Sequence, residues 1–176
     1  MMTLKAKPLT PDAFKPYGQV LMGPGQGPER YEFAAAVDNR RGDKAKANFT
    51  FMRSKLAQAP VTVRAMERHI HSNQIFVPMN GTAYLVAACP STAKGDPDIA
   101  RMEVFVATGG QAINLDTNVW HAPNTPLGAP GEFVMLRFDD GSPADTELRP
   151  LDTPIEVDVS ACLPSFGGAG GRTDSY

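Results

Sequence analysis

The sequence predicts an all-β protein, and three observations support this fold class. The 176 residues include 16 glycines and 16 prolines, spread along the chain between short apolar runs. Eight of these runs have the length and composition of strands. Turn sequences rich in Gly, Pro, Asn and Asp separate them. Many short strands with turns between them are typical of a sandwich or a barrel, so we expect one of these two architectures.

The elements begin with a short predicted helix. Thr10 suits its N-cap, Pro11 its first helical position and Asp12 its first turn. The predicted strands follow in "YEFAAAVD", "ANFTFMRS", "VTVRAMERH", "NQIFVPM", "TAYLVAAC", "RMEVFVAT", "EFVMLRF" and "PIEVDV". Turns are predicted between them, including a solvated turn in "RRGDKAK" and a long one in "DDGSPADTELRP".

Length and composition predict one domain over residues 1–160, followed by a flexible Gly-rich tail over residues 161–176. The net charge of −2 and the pI near 5.9 give no electrostatic footprint for nucleic acid or an anionic membrane. No apolar run is long enough for a signal peptide or a membrane span. Cys89 and Cys162 lack metal-type spacing and are expected to be free thiols. We therefore expect a cytoplasmic protein.

The three histidines of the chain are its strongest functional signal. His69 and His71 lie in a predicted strand, where alternation puts them on the same face as Glu67. Imidazoles at this spacing are ~6–7 Å apart at the backbone, close enough to bind one ion. His121 follows in a second segment and supplies a third imidazole. The alternative is a set of hydrogen-bonded histidines in a polar barrel without an ion.

The wider spacing resembles the two cupin motifs. Gln74 and then Gly81 follow the His-x-His pair, and His121 comes eleven residues after Gly110. This resemblance implies a cupin-like double-stranded β-helix barrel in which His69, His71 and His121 bind a divalent ion. Gln74 then lies at or near the acidic position. Gln74 comes three residues after His71, so in a regular strand the two side chains would point to opposite faces. Gln74 can therefore be a fourth ligand only if the chain bends or bulges after His71.

Residues 4–145 are similar to the ureidoglycolate lyase family. The similarity is carried by "PLTPDAFKPYGQVL", "PVTVRAMERH", "NQIFVPMNG", "GGQAINL", "NVWHAP" and "FVMLRFDDG". It implies a cytoplasmic homodimer that splits ureidoglycolate into glyoxylate and urea, a carbon–nitrogen (amidine) lyase of allantoin and purine catabolism. The chain departs from the family pattern at four places, one of which is the absence of the family's Asn-Asn-Gly stretch near the N-terminus. It has Ile70-His71 instead of a Pro, Leu115-Asp116-Thr117 instead of Tyr-His-Arg, and Ala122 instead of a second His.

This chemistry assigns roles to a few more side chains. Ureidoglycolate is a hemiaminal, so its cleavage needs a group that moves protons, and Glu67 is the candidate acid or base. Glu67 could equally be a partner of a histidine N–H. Arg137 could bind the substrate carboxylate or form a surface ion pair with Asp139. The family motif suggests Asn118 as a second substrate-binding residue.

The sequence leaves more than one possibility for the identity of the metal and for the function. Imidazole ligands suit Zn, Ni, Fe or Mn, and the sequence does not choose among them. Another metal-dependent cupin enzyme, such as an oxygenase, would use the same residues. A non-catalytic cupin that binds a small molecule is the third candidate. Strand alternation points Arg68 and Trp120 away from the histidines. We therefore expect Arg68 to be structural, at a dimer interface for instance, and Trp120 to lie in a core.

Overall fold

Strands dominate the computed structural model of the protein, which describes residues 2–22, 30–108 and 110–163. Within these ranges one α-helix, α1, spans Pro11–Phe14. Short 3-10 turns lie at Ala34–Ala36, Gly42–Lys44, Ile99–Arg101 and Pro143–Asp145. The strands are β1 (Thr3–Lys5), β2 (Lys7–Pro8), β3 (Gly18–Leu21), β4 (Lys46–Ser54), β5 (Val61–His69), β6 (Gln74–Pro78), β7 (Tyr84–Cys89), β8 (Glu103–Ala107), β9 (Ala112–Leu115), β10 (Trp120–His121), β11 (Thr125–Pro126), β12 (Gly131–Asp139) and β13 (Thr146–Asp158).

The strands form two sheets. The first has the order β1-β13-β5-β10-β7-β8-β2, with β11 also paired to β7. The second has the order β3-β9-β6-β12-β4. Pairing is antiparallel except between β1 and β13 and between β2 and β8. The two sheets face each other as a nearly closed barrel, which confirms the predicted all-β, cupin-like fold.

The predicted N-terminal helix is confirmed as a single turn. The Thr10 hydroxyl accepts a hydrogen bond from the backbone N–H of Ala13, and Pro11 occupies the first helical position. Phe14 anchors the turn in the core, where its ring meets the edge of Phe105 at 5.6 Å between centroids. Burial of one such ring contributes about 1.5–3 kcal/mol.

The space between the sheets is apolar at one end and polar at the other. On β12, Phe133 and Met135 are buried in the inner cluster, and alternation puts Arg137 on the same face. On β6, Phe76 is in that cluster and Gln74 precedes it on the same face. The periodicity that fills the core therefore also brings polar side chains to one end of the barrel.

A break in the alternation of β5 turns its last residues inward. Val63 and Met66 both pack in the apolar cluster on the outer side of the first sheet, although they are three residues apart. At this point the register between β5 and β13 shifts. Glu67 and His69 consequently face the barrel interior, which is the effect expected of a β-bulge. The regular alternation expected of a strand therefore breaks between Val63 and Met66.

Three local predictions need correction. Residues 31–38 do not form a strand, and the three alanines make a 3-10 turn instead, in keeping with the low β propensity of Ala. Strand β13 begins at Thr146, inside a segment predicted as a turn, because residues 146–150 pair with β5. Arg41 lies in the predicted solvated turn, yet its side chain is only 9% exposed and forms an ion pair with Asp140 at 2.7 Å.

Several further predictions concern segments away from the site. Cys89 and Cys162 are both free thiols, as predicted. Of the predicted tail, residues 164–176 lie outside the described residues, so the domain boundary stays a prediction. No helix within the described residues has the length and apolar character needed to cross a membrane. A cytoplasmic location and the absence of nucleic-acid partners also remain predictions.

Candidate active site

Three side chains from two neighbouring strands converge at the polar end of the barrel. His69 is the last residue of β5, and Glu67 lies two residues before it on the same face. His121 lies on β10, where its Cα is directly opposite that of Glu67. Directly paired residues of an antiparallel ladder place their side chains on one face, so the two-residue strand β10 is enough to bring His121 to the other two.

The ligand atoms of Glu67, His69 and His121 all lie within 4.8 Å of one another. The two imidazole rings are 5.8 Å apart between centroids, and both residues are almost fully buried. His121 Nε2 lies 3.5 Å from Glu67 Oε1. This spacing allows all three groups to bind one ion, since each metal–ligand bond is ~2 Å long.

The hydrogen bonds of both rings orient their Nε2 atoms. His121 Nδ1 lies 3.0 Å from the carbonyl oxygen of Val119, which can only accept, so Nδ1 carries the proton. His69 Nδ1 lies 3.3 Å from the Thr146 hydroxyl and 3.3 Å from Asp145 Oδ2. The nearby carboxylate favours the proton on Nδ1 here as well. Both Nε2 atoms are buried and have no hydrogen-bond partner within the described residues.

Two lone pairs and a carboxylate that face one another need a positive charge between them. The contact between Glu67 and the His121 ring holds the pKa of Glu67 below its usual range, against the opposite effect of its burial. Burial, followed by the charge of His121, lowers the pKa of His69 to about 4. At neutral pH Glu67 is therefore ionised and His69 is neutral, as metal binding requires.

The sequence analysis missed Asp145 and Arg41, which lie behind His69. The side chain of Asp145 is 4% exposed, and its Oδ1 accepts a hydrogen bond of 2.8 Å from the backbone N–H of His71. Arg41 Nη2 lies 3.8 Å from Asp145 Oδ2. No pattern in the sequence signals this contact, because both residues lie in segments with the composition of turns.

Arg137 lies beside the three-residue group and forms the predicted ion pair with Asp139, whereas its binding of a substrate carboxylate stays a prediction. Its Nη2 donates to Asp139 at 2.7 Å, and its Nη1 donates to Thr146 at 3.2 Å. Its positive charge contributes to the lowered pKa of both Glu67 and His69. Its Nε is buried without a hydrogen-bond partner within the described chain. Arg137 therefore forms an ion pair and also borders the three-residue group.

Gln74 faces the group from the second sheet. Its Cα is paired with that of Arg137 across β6 and β12 and with that of Leu115 across β6 and β9. The chain passes from β5 to β6 through residues 70–73, a segment that includes the expected bend after His71. Gln74 is 5% exposed, and its Oε1 is buried without a partner among the described residues.

His71 and Asn118 lie outside the three-residue group. Strand β5 ends at His69, so the alternation that placed His71 beside it extended two residues too far. Among the described residues, His71 is not part of the group that could hold an ion. Asn118 is an exposed turn residue with φ of 73°, and its backbone N–H donates to the carbonyl of His69 at 2.7 Å. A substrate-binding role for its side chain stays a prediction.

Comparison with known proteins identifies the family. The sequence model of the family described as ureidoglycolate lyase matches residues 1–158. The chain belongs to the ureidoglycolate lyase family. A putative ureidoglycolate lyase of Agrobacterium fabrum is 32% identical over 166 residues, which are 93% of this chain and the whole of that protein.

Two further relatives agree with this assignment. The ureidoglycolate lyase of Brucella anthropi is 34% identical over 76% of this chain and 82% of its own length. That of Pseudomonas syringae pv. tomato is 32% identical over 82% of this chain and 89% of its own length. The resemblance inferred from the motifs is thereby confirmed. Membership of the ureidoglycolate lyase family favours a lyase over the oxygenase and over the non-catalytic cupin.

Proposed function

We propose that this protein is a ureidoglycolate lyase that splits ureidoglycolate into glyoxylate and urea, as an amidine-type carbon–nitrogen lyase. The observation that carries the proposal is the buried convergence of Glu67, His69 and His121 within 4.8 Å, in a chain of this family. Arg137 adds a positive charge beside the group. This arrangement suits a small substrate with a carboxylate next to the reacting carbon.

The reaction breaks an O–H bond and a C–N bond of one carbon. As the hydroxyl proton leaves, its electron pair forms the carbonyl of glyoxylate. The electron pair of the C–N bond departs with the urea nitrogen, which takes up a proton. Glu67 is ionised at neutral pH and its side chain is 24% exposed, so it can take the hydroxyl proton and return it to the nitrogen.

Glu67, His69 and His121 would hold a divalent ion through the two Nε2 atoms and one carboxylate oxygen. The fit follows from the two buried, unpartnered Nε2 atoms and the carboxylate beside them. Two imidazoles and a carboxylate are the donor set of several catalytic metal sites. When bound, the ion supplies a Lewis acid that lowers the pKa of the substrate hydroxyl. Zn, Ni, Fe and Mn all suit these ligands.

The test is release of urea and glyoxylate from ureidoglycolate by the purified protein. Glu67→Gln should lower the rate by about 10²–10⁴-fold, the usual contribution of a general acid or base. Glu156→Gln is the matched control, because Glu156 lies at the other end of β13, opposite Thr62, and should leave the rate unchanged. His121→Ala should lower both the rate and the metal content measured by mass spectrometry.

The alternatives give different outcomes in the same experiments. Metal-replete protein that releases no urea would contradict the lyase proposal. Oxygen consumption would then support an oxygenase, and ligand binding without turnover would support a non-catalytic cupin. Equal metal content in the wild type and in His121→Ala would contradict the proposed ligand set.

We also propose that the protein is a homodimer formed through the outer face of the second sheet. We define the outer patch by its four exposed apolar residues, which are Phe49 (70% exposed), Phe51 (56%), Val77 (39%) and Met79 (58%). A contiguous apolar patch of this kind is typical of an interface. It reaches the edge strand β4, which is otherwise unpaired on one side within the described sheet.

The charges at the border of the outer patch suit a second copy. Arg53 and Glu132 form a surface ion pair of 2.9 Å next to Phe51. This ion pair gives the outer patch a polar border, as is usual at the rim of an interface. Light scattering should give twice the mass of the 18.9 kDa chain. Phe51→Glu should give a monomer, whereas Val37→Glu, at an exposed apolar residue outside the patch, should not. A monomeric wild type would contradict the proposal.

A further inference from the structure

Gln74 carries a buried polar group that the protein itself leaves unused. The residue is 5% exposed, and its Oε1 accepts no hydrogen bond within the described residues. Its inner neighbour on one side is Leu115, an aliphatic side chain that cannot donate. Its neighbour on the other side is Arg137, whose Nη groups donate to Asp139 and Thr146 and whose Nε is buried without a partner within the described residues. A buried acceptor without a donor is costly, so a bound molecule is the natural partner.

The position of Gln74 sets the direction from which this molecule is bound. Gln74 belongs to the second sheet, whereas Glu67, His69 and His121 belong to the first. Two packed sheets are ~10 Å apart, and inward-pointing side chains occupy much of that distance. A small molecule that reacts at Glu67 is therefore within reach of Gln74 on the facing sheet. Arg137 borders the same space between the sheets, since Thr146 contacts both its Nη1 and His69 Nδ1.

Amide chemistry indicates which substrate group Gln74 binds. A glutamine amide offers one acceptor and two donor hydrogens, and the terminal –CO–NH₂ of a ureido group offers the complementary set. A carboxylate of the substrate would leave the Gln74 acceptor unpaired and matches Arg137 better. We propose that Gln74 is the residue that recognises the ureido group, through paired N–H···O hydrogen bonds. This inference rests on the proposed function and assigns one end of its substrate.

The test compares two ligands that differ in the ureido group. Oxalurate carries a ureido group and a carboxylate but has a carbonyl instead of the reacting carbinol, whereas oxalate has no ureido group. Calorimetry of the metal-replete protein should show that Gln74→Met weakens oxalurate binding by about 10- to 100-fold. Oxalate binding should change by less than about threefold. Gln74→Glu has nearly the same shape, loses the donors and should weaken oxalurate to a similar extent.

The outcomes separate this proposal from the others. Equal loss of oxalurate and oxalate binding, or no loss of either, would overturn the role of Gln74. A fall in metal content in Gln74→Met would overturn it too, because Gln74 would then be a metal ligand. A wild type that binds oxalurate no more tightly than oxalate would have the same consequence. Because binding is measured without turnover, failure to release urea from ureidoglycolate contradicts the lyase proposal alone. If Gln74→Met does not fold, the binding measurements on Gln74→Glu decide the question.

Discussion

Asp145→Asn is the substitution that tests how the protein orients His69. Asp145 Oδ1 accepts a hydrogen bond from the backbone N–H of His71 at 2.8 Å, and Asp145 Oδ2 lies 3.3 Å from His69 Nδ1, whose hydrogen-bond partner is the Thr146 hydroxyl. An amide has one oxygen, so it can replace only one of these two carboxylate oxygens. If that oxygen stays with His71, an NH₂ group faces Nδ1 of His69. The His69 proton is then favoured on Nε2, where it blocks the lone pair that should bind the metal.

The expected magnitude follows from the position of Asp145 behind the ligand rather than in the site. Loss of such an outer partner lowers metal affinity or activity by about 10- to 100-fold, which corresponds to ~1.4–2.7 kcal/mol. Arg41 keeps its ion pair with Asp140 at 2.7 Å and its hydrogen bond to the carbonyl of Phe138. The variant should therefore still fold, with a lower midpoint of denaturation.

Metal affinity is measured by competition with a chelator, and urea release is measured in the same preparations. Asp140→Asn is the matched control, because Asp140 also contacts Arg41 but makes no contact with His69. Its metal affinity should stay within about twofold of the wild type. If Asp145→Asn lowers stability but leaves metal affinity and turnover unchanged, Asp145 is structural and the argument about the His69 proton is wrong.

Three other predictions follow from the described geometry. Burial raises the pKa of the Cys89 thiol to about 12, so an aromatic disulfide reagent at pH 8 should leave Cys89 unmodified until the protein is unfolded, and rapid modification of the native protein would contradict its burial. Burial lowers the pKa of His69 to about 4, so the unfolded state binds more protons than the folded state between pH 4 and about 6.5. The metal-free protein should therefore lose up to ~3 kcal/mol of stability as the pH falls through that window. His69→Gln should remove this pH dependence. An equal slope in His69→Gln would contradict the neutral state of His69. At Asn118, with φ of 73°, replacement by Gly should preserve stability and activity and replacement by Ala should cost about 1 kcal/mol; loss of substrate binding in Asn118→Gly would instead support the predicted substrate role.

The parts of the fold that the sequence predicts are those in which local chemistry decides. Strand β5 has the predicted bounds because it starts with the β-branched residues Val61, Thr62 and Val63 and ends at His69, just before a turn-rich segment. The helix is predicted because Thr10 and Pro11 signal a helix start. The strand predicted over residues 31–38 is wrong because composition alone does not distinguish a strand from a loop that covers a sheet.

The candidate site is predicted only as far as sequence spacing allows. Glu67, His69 and His121 converge because a ladder pairs β5 with β10, and the motif spacing indicates that pairing. His71 lies outside the three-residue group because strand β5 ends at His69, and a strand end is not visible in a residue pattern. Asp145 is missed because its distance from His69 is set by β13, which begins in a segment rich in Gly, Pro, Ser and Asp. Long-range pairing therefore limits what the sequence alone can predict.

The residues at which the chain departs from the family pattern lie around the site. None of these departures removes Glu67, His69 or His121. Ala122 packs in the cluster on the outer side of the first sheet, so a histidine there would point away from His121. Asp116 is exposed and accepts a hydrogen bond from Gln19. Leu115 differs, because it is buried in the inner cluster and paired with Gln74. An aliphatic residue at this place leaves the Gln74 amide free for a ligand. Among these three positions, Leu115 is therefore the one that lies next to the Gln74 amide inside the barrel.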